Sequence, residues 1–394
     1  MKIGILGGGQ LARMLALEGI PLGHRFTVLE GAPDPPAGVA SAVVAAAYDD
    51  PDGLAAVAAA ADVVTYEFEN VPADSAAYLA ARVPALPPPG ALQVSQDRLA
   101  EKRMFRELGI STAPFHPVDG PEDVEEAVAV TGLPAVIKTR RLGYDGKGQE
   151  VVRSLGEAEA AVEELGAGLI VEGFVAFERE LSVLAVAGRE GGRAFYPLTE
   201  NHHRGGILSV SYAPAPGLAP LRAPAPALTP APDLPRTSDL TPSLQSEAER
   251  LAALVLDRLD YIGVLAIELF EVGGRLLANE MAPRVHNSGH WTLDGADVSQ
   301  FENHIRAVTG MPLATPRVPG PAAMVNVIGE LPDPGAVASI PGAHLHLYGK
   351  APRPGRKIGH VNVTARDEAA VMRAVSRVWE LLPGAGELPM ATGG

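Results

Sequence analysis

Short apolar runs alternate with segments of helical periodicity in the first part of the chain. The apolar runs lie at 2–6, 25–30 and 62–66, and the segments with helical spacing lie at 10–20 and 51–61. This alternation predicts a doubly wound parallel sheet, and therefore an α/β class for this region. The proline-rich run PALPPPG predicts a boundary after it, so we expect the first domain to span residues 1–95.

Beyond that boundary strands and helices are mixed, which predicts an α+β arrangement overall. We expect strands at 134–138, 150–153 and 169–186, helices at 98–108, 246–260 and 298–310, a hairpin around Gly273-Gly274, and short strands at 344–364 before a helix at 368–382. The segment 213–245 is different, because it has nine prolines and no apolar period. Such a composition predicts a flexible surface insertion.

Composition narrows the class of protein. The chain has 394 residues, of which 47% are hydrophobic and 20% charged, values typical of a globular protein with two or three domains. It has no cysteine, which excludes disulfides and thiolate metal sites, and a formal charge of −15, which argues against nucleic acid and anionic membranes as partners. The N-terminus lacks the pattern of a signal peptide, so we expect a cytoplasmic protein.

A glycine turn follows the first strand. Gly7-x-Gly9-x-x-Ala12 opens a helix, and Glu30 ends the next strand, where an acid that binds a ribose would lie. Free N–H groups at a helix N-terminus attract anions. Three interpretations stay open: the pyrophosphate of NAD or FAD, another phosphate, or a purely structural turn.

A second glycine-rich segment follows a strand that ends in Lys138. The loop TRRLGYDGKGQ does not fit a P-loop, because its Gly-Lys pair is followed by glycine and a strand rather than by Ser or Thr and a helix. Its backbone N–H groups can cover a triphosphate while Lys138 supplies a point charge. A solvated basic turn is the alternative interpretation.

Two carboxylates occur in adjacent apolar strands. Glu268 and Glu280 flank the Gly273-Gly274 turn, and buried carboxylates of this kind call for a cation such as Mg²⁺; exposed edge positions are the alternative. A regular two-residue hairpin would pair Glu268 with Asn279 and send the two carboxylates to opposite faces. A shared metal therefore predicts an odd-length loop or a β-bulge within 275–279.

Polar and basic residues follow this hairpin. Arg284 can bind an oxyanion and His286 can shuttle a proton, whereas zinc bound by His286 and His290 would lack a third ligand at the usual spacing. Later, Lys350 belongs to a basic glycine turn that extends to His360. Such a turn in an acidic protein indicates a phosphate of a ligand.

These residues together resemble the ATP-grasp superfamily and, within it, the ribonucleotide-carboxylating synthetases of purine biosynthesis. The matching segments are GGGQLARML, TYEFENVP, QDR, KTRRLGYDGKGQ, FERELSV, ENHHRGGIL and NEMAPRVHNSGHWTLDGADVSQFENHIRAVTG. The resemblance implies a Rossmann-like domain at 1–95, an ATP-grasp domain at 96–315 and a small C-terminal domain at 316–394. Within the second it implies a lid at about 110–178 and the insertion at about 213–245.

The resemblance also implies an activity. Such ligases use ATP and bicarbonate to carboxylate aminoimidazole ribonucleotide through carboxyphosphate, giving ADP and phosphate, with Mg²⁺ as the metal, Mn²⁺ as its alternative and a homodimer as the assembly. Three rivals stay open: an NAD-dependent oxidoreductase, another ATP-grasp ligase, and a silent nucleotide-binding module.

The site residues that the resemblance implies fall into four groups. The nucleotide would be held by Arg98, Lys138, Gly143, Tyr144, Asp145, Gly146, Lys147, Gly148, Gln149, Glu172, Gly173, Phe174, Val175, Glu180, His203, Asn279 and Glu280. The substrates would be held by Gln10, Leu11, Tyr144, Arg284, His286, Asn287, Ser288, Lys350, Arg356 and Lys357. Glu268 and Glu280 would hold the metal, and the catalytic residues would be Lys138, Arg284 and His286. The chain departs from the family pattern at Ala12 and Gly173.

Overall fold

The computed structural model describes residues 1–143, 148–218 and 243–389, and within these ranges the strands form three sheets. In the same ranges, no helix has both the length and the apolar character needed to cross a bilayer.

The N-terminal sheet is parallel and has the order β3-β2-β1-β4. Its strands are β1 (Lys2–Leu6), β2 (Arg25–Leu29), β3 (Ala42–Val44) and β4 (Val63–Tyr66). The helices are α1 (Gln10–Gly19), α2 (Pro51–Ala60), α3 (Ala73–Ala80) and α4 (Pro89–Ser95), with a 3-10 turn at Pro36–Val39. Asp50 begins α2 by accepting hydrogen bonds from the backbone N–H groups of Asp52 and Gly53. The predicted doubly wound arrangement is confirmed.

A second sheet, with the order β5-β8-β6-β7, carries the segments around Lys138. Its strands are β5 (Phe115–Val118), β6 (Ala135–Thr139), β7 (Gln149–Val152) and β8 (Leu169–Gly173). The helix α5 (Arg98–Glu107) leads into it, and α6 (Val124–Thr131) and α7 (Leu155–Leu165) pack on it around an apolar core, with a 3-10 turn at Pro121–Asp123. The two strands predicted on either side of the glycine loop therefore pair with each other.

The third sheet has nine strands in the described residues, and it runs from the Glu268 hairpin to the C-terminal strands. Its strands are β9 (Arg179–Ala187), β10 (Arg193–Phe195), β11 (Thr199–Arg204), β12 (Ile207–Ala213), β13 (Gly263–Val272), β14 (Arg275–Ala282), β15 (Ala322–Ile328), β16 (Ala343–Leu347) and β17 (Lys357–Thr364). The accompanying helices are α8 (Leu244–Arg258), α9 (Thr292–Gly295), α10 (Gln300–Thr309), α11 (Pro334–Ala338) and α12 (Glu368–Glu380), with a 3-10 turn at Asn287–Gly289. Because β12 pairs with β15, the C-terminal segment extends the same sheet. The division of the chain at residue 315 stays a prediction.

The predicted insertion at 213–245 is ordered at both ends. Ala213 belongs to β12 and Ala215 is buried. At the other end, Gln245 accepts a hydrogen bond from the Leu198 N–H (2.7 Å) and donates one to the Tyr196 carbonyl (3.2 Å). The two ends of the predicted flexible segment therefore belong to the folded structure, where Ala215 is part of an apolar core and Leu244 packs against it. Residues 219–242 lie outside the described ranges.

One buried histidine ties the N-terminal sheet to the large sheet. The Nδ1 atom of His304 on α10 accepts a hydrogen bond from the Val264 N–H (3.1 Å), so its Nε2 carries the proton and donates to Thr65 Oγ1 on β4 (2.8 Å). Burial lowers the pKa of His304 to about 3, from an ordinary value of 6.5. The ring is neutral in the folded protein near neutral pH.

This neutral histidine makes the folded protein sensitive to acid. A histidine whose pKa is lowered by folding stabilises the folded state above pH 6.5, the pKa of the ring in the unfolded chain. This stabilisation is lost as the pH falls from 6.5 toward about 3. We expect the free energy of unfolding to drop across this window, with His304 contributing up to about 1.4 kcal/mol per pH unit. Denaturant unfolding of the wild type and His304→Gln measures this contribution. Equal slopes for the two proteins would contradict the prediction.

Candidate active site

A cavity of about 820 Å³ is lined by residues of the second and third sheets and by the segments that follow β1 and β4 of the N-terminal sheet. It contains most of the side chains that the sequence predicted for a site. The predicted residues that line it are Gln10, Leu11, Arg98, Lys138, Gly143, Gln149, Glu172, Gly173, Phe174, Val175, Glu180, His203, Glu268, Asn279, Glu280, Arg284, His286, Asn287, Lys350 and Lys357. Segments far apart in the chain therefore share one space.

Three of the predicted residues do not line the cavity. The Ser288 side chain is fully buried and hydrogen-bonded to Ser182 and His286, so it has no surface to offer a ligand. Arg356 donates to the Ala351 carbonyl (3.3 Å) instead of facing the cavity. Gly148 has a φ of +69° and accepts a hydrogen bond from the Thr139 N–H, which is a role in the turn. Tyr144, Asp145, Gly146 and Lys147 lie outside the described residues.

The N-terminal glycine turn surrounds a carboxylate of the chain itself. The Gly9 and Ala12 N–H groups donate to Glu67 (2.5 and 3.0 Å), and the Gly8 N–H donates to Glu30 (3.1 Å). An added Cβ at Gly7 or Gly9 would overlap the Glu67 side chain. Of the three interpretations, the geometry favours the structural turn, because an internal carboxylate takes the position at the helix N-terminus that a phosphate would occupy.

The hairpin that carries the two acidic residues contains the predicted irregularity. Val272 pairs with Arg275 across Gly273 and Gly274, whose φ angles of +57° and +69° suit a two-residue turn. The register then shifts by one residue at Asn279, so that Glu268 stands opposite Glu280. Directly opposed residues share one face of the sheet, and the prediction of a β-bulge within 275–279 is confirmed.

The electrostatics of this pair fit a cation. Burial and the neighbouring Glu280 raise the pKa of Glu268 to about 8, from an ordinary value of 4.5. His286 Nε2 lies 3.2 Å from Glu268 Oε1, and Arg98 lies 3.6 Å from Glu280. Burial and the Arg284 charge lower the pKa of His286, so the nearby imidazole does not neutralise the pair. No cluster of three acidic or histidine side chains suited to a metal occurs within residues 1–143, 148–218 and 243–389, so a cation here would take further ligands from elsewhere.

Two lysines converge on one carboxylate at the other end of the cavity. Lys138 Nζ and Lys102 Nζ lie 3.2 and 3.1 Å from Glu172 Oε2. Burial alone would raise the pKa of Glu172, but the two lysines outweigh it and lower the pKa to about 2. Elsewhere in the lining of the cavity, the rings of Phe177 and Phe270 stack with centroids 4.7 Å apart. Apolar ring surface and the lysine charge therefore line one cavity.

Further ion pairs position the remaining polar groups. Arg284 donates to Glu69, which comes from the N-terminal domain, and this pairing outweighs burial and raises the pKa of the guanidinium. His203 Nδ1 lies 2.7 Å from Glu180 Oε2, and that contact outweighs burial and raises the pKa of His203. Lys350 donates to Gln10 across the cavity. Each cation of this set is held by an acceptor of the chain itself.

Sequence reasoning missed several lining residues. The structure adds Glu67, Glu69, Glu101, Phe177, Phe270 and Tyr348. The first two directly follow β4, and polar residues at the carboxyl end of a parallel strand are a recognised signal of a ligand crevice. No comparable signal marked Glu101, because it lies within an ordinary amphipathic helix.

Protein-family models match three parts of the chain. The ribonucleotide synthetase preATP-grasp domain matches residues 1–96, the ATP-grasp domain matches 103–229 and 235–301, and the phosphoribosylaminoimidazole carboxylase C-terminal domain matches 322–374. The fold is therefore that of an ATP-grasp ligase.

Individual relatives narrow the family. The chain is 46% identical to the N5-carboxyaminoimidazole ribonucleotide synthase of Pseudomonas aeruginosa, over 97% of this chain and 99% of that protein. A crystal structure of N5-carboxyaminoimidazole ribonucleotide synthetase from Thermus thermophilus has 51% sequence identity to this chain. The two structures match with a TM-score of 0.88 over 98% of this chain and 99% of that one. A complex of the Aspergillus clavatus enzyme with ADP and 5-aminoimidazole ribonucleotide is 28% identical (TM-score 0.83; 98% and 99% covered). The chain belongs to the N5-carboxyaminoimidazole ribonucleotide synthase family.

The structural role of the glycine turn can be tested with a double-mutant cycle. Gly9→Ala should destabilise the protein because the new methyl group overlaps the Glu67 carboxylate, and Glu67→Ala should remove that overlap. We expect the double variant to be more stable than the sum of the single effects by about 0.5–3 kcal/mol, measured by denaturant unfolding. Gly156→Ala is the control, since nothing lies within 4 Å of its added Cβ. Additive effects at Gly9 and Glu67 would exclude the proposed overlap.

Proposed function

We propose that this chain carboxylates 5-aminoimidazole ribonucleotide with bicarbonate at the expense of ATP, giving N5-carboxyaminoimidazole ribonucleotide, ADP and phosphate. Membership of the synthase family supports this activity. The observation that carries it is the bulged hairpin, which aims Glu268 and Glu280 into the cavity that also contains Lys138 and Arg284. Acidic ligands for a cation and cations for phosphates thus face one space.

The nucleotide lies at the end of the cavity near the lid. Phe174 and Val175 supply apolar contact for a base, and Lys138 supplies charge for the phosphates. Arg98, Glu180, His203 and Asn279 complete this end of the cavity. Gly143 and Gln149, at the two ends of the glycine-rich loop, line the cavity, and residues 144–147 between them lie outside the described ranges.

Glu268 and Glu280 hold Mg²⁺, with Mn²⁺ as the alternative. Their opposed side chains and the raised pKa of Glu268 suit a hard divalent cation, which takes carboxylate oxygens as ligands. When bound, such an ion neutralises negative charge on the nucleotide phosphates. The carboxylates contribute position, because the register of β13 and β14 fixes both of them on one face.

The ribonucleotide lies at the opposite end, near the N-terminal turn. Lys350 and Lys357 face this end and supply charge for a 5′-phosphate, and Gln10, Leu11 and Asn287 line the wall. Ser288 and Arg356 do not take part in direct contact, for the reasons given above. Arg284, oriented by Glu69, binds bicarbonate between the two larger ligands.

The chemistry follows from this order of ligands. Bicarbonate is a poor electrophile, so a bicarbonate oxygen first attacks the γ-phosphorus and ADP leaves, which forms carboxyphosphate. The exocyclic amine then attacks the carboxyl carbon to form the N–C bond, the C–O bond to phosphate breaks with its electron pair leaving on phosphate, and the departing phosphate takes the proton that the amine loses. Catalysis consists mainly of positioning and charge neutralisation by Lys138 and Arg284. A homodimer, a cytoplasmic location and the domain limits 1–95, 96–315 and 316–394 stay predictions.

Coupled turnover tests this proposal. ADP formation should require both 5-aminoimidazole ribonucleotide and bicarbonate, and the carboxylated nucleotide should form in equal amount. Replacing bicarbonate by formate tests the alternative of a related ATP-grasp ligase. ATP cleavage that ignores the ribonucleotide, or that prefers formate, would contradict the proposal.

The role of Lys138 can be measured separately. Lys138→Ala removes a charge that lines the cavity while Lys102 still pairs with Glu172, so the fold is expected to persist. We expect kcat/KM for ATP to fall by about 10²–10³-fold, the loss typical of one strong charge-stabilising group. Lys2→Ala, an exposed lysine at the start of β1, serves as the control. Unchanged turnover at limiting ATP would rule out the assignment.

A further inference from the structure

A line of buried hydrogen bonds runs behind the cavity and ends at the imidazole beside Glu268. Its side chains come from strands β9, β11 and β12 and from the 3-10 turn after β14. They are Ser211, Asn201, Ser182, Ser288 and His286. Ser182, Ser211 and Ser288 are fully buried, so the hydrogen bonds of this line have no competition from bulk water.

Asn201 determines which group donates and which accepts in each hydrogen bond of this line. Its Nδ2 lies 3.4 Å from the Thr199 carbonyl oxygen, which can only accept, so the amide nitrogen and not the amide oxygen faces that side. The same Nδ2 donates to Ser182 Oγ (3.0 Å), and Oδ1 accepts from Ser211 Oγ (2.7 Å). Ser182 Oγ therefore accepts a hydrogen bond from Asn201, and its own hydroxyl proton is left to donate.

The same order of donors and acceptors extends from Ser182 to the imidazole of His286. Ser182 Oγ donates to Ser288 Oγ (2.8 Å), so the Ser288 hydroxyl donates to His286 Nδ1 (2.9 Å). The backbone N–H of Ser288, which can only donate, also points at Nδ1 from 3.4 Å. Two donors facing one ring nitrogen require that this nitrogen carries a lone pair.

We propose that this line of hydrogen bonds holds His286 in the tautomer with its proton on Nε2. Because two donors face Nδ1, the proton-bearing Nε2 is the ring nitrogen that faces Glu268, 3.2 Å from its Oε1. His286 is then a positioning residue for Glu268. The expectation that it shuttles a proton is replaced by a donor role, because neither ring nitrogen has a free lone pair facing the cavity.

This role explains why the buried serines matter to the site. A carboxylate that holds a cation is kept in place by hydrogen-bond donors around it, and loss of such a donor commonly costs about 10- to 100-fold in metal affinity. His286 supplies that donor on one side of Glu268. Ser288 lies behind His286, on the side away from Glu268, and its hydrogen bond keeps the proton of the ring on Nε2. A fully buried serine thus has a role in the site without contacting a ligand.

The tautomer can be observed directly in the metal-free protein. Selective ¹⁵N-histidine labelling and long-range ¹H–¹⁵N correlation spectra near neutral pH distinguish a ring protonated on Nε2 from one protonated on Nδ1. The His286 signals are those that disappear in His286→Gln. We expect the Nε2–H pattern; an Nδ1–H pattern, or a doubly protonated ring, would overturn the proposal.

A matched pair of variants tests the donor role. The amide nitrogen of glutamine reaches the place of Nε2, whereas that of asparagine reaches only the place of Nδ1. We expect His286→Asn to weaken Mn²⁺ binding by about 10- to 100-fold and His286→Gln to weaken it at least about tenfold less. Equal losses in both variants would overturn the donor role. The Mn²⁺ measurement rests on the proposed metal site at Glu268 and Glu280, whereas the spectra of the metal-free protein do not, so the tautomer and the proposed function can fail separately.

A third variant tests the line behind the ring. Ser288→Ala removes one of the two donors at Nδ1, so the His286 signals should shift toward a mixture of tautomers. Ser209→Ala is the control, because Ser209 lies in the same strand as Ser211 but donates to the Ile207 carbonyl and is not part of the line. A tautomer shift of equal size in both variants would contradict the proposed origin of the tautomer preference.

Discussion

The active-site cavity depends on one extra residue in a β-hairpin. Side chains alternate between the two faces of a strand, so a regular pairing across the Gly273-Gly274 turn would place Glu268 and Glu280 on opposite faces. The bulge at Asn279 shifts the register by one residue and brings both carboxylates to the same face. Both carboxylates therefore line the cavity that also contains Lys138 and Arg284, and the proposed metal site depends on the bulge.

Charge pairing within the chain organises the rest of the cavity. Glu172 holds two lysines, Glu69 holds Arg284, and Glu67 occupies the N-terminus of α1. Each pair brings together parts of the chain that are distant in sequence, so the cations are fixed in position before any ligand arrives. Preorganised charges of this kind cost little rearrangement when a phosphate or bicarbonate enters. An acidic chain, with a formal charge of −15, can thus bind several anions in one place.

Individual residues show how far the sequence predicted this site. The hairpin irregularity was predictable because the period of a strand is fixed, and a metal shared by two carboxylates permits only one register. Lys138 was predictable because it ends a strand before a glycine-rich loop. Glu101 and Lys102 were not, since an amphipathic helix gives no sign of which polar residue turns inward. Ser288 was placed among the ligand contacts, although its neighbours bury it completely.

Local pattern by itself determined the alternating N-terminal domain, the strands around the glycine loop, the hairpin and the resemblance to ATP-grasp ligases. These features depend on residues close together in the chain, where spacing fixes geometry. Only the tertiary structure decided what fills the glycine turn, which hydrogen-bond partners surround His286, and that the C-terminal strands extend the large sheet. These outcomes depend on contacts between distant segments, and the direction of a buried hydrogen bond is set by partners that no local pattern specifies.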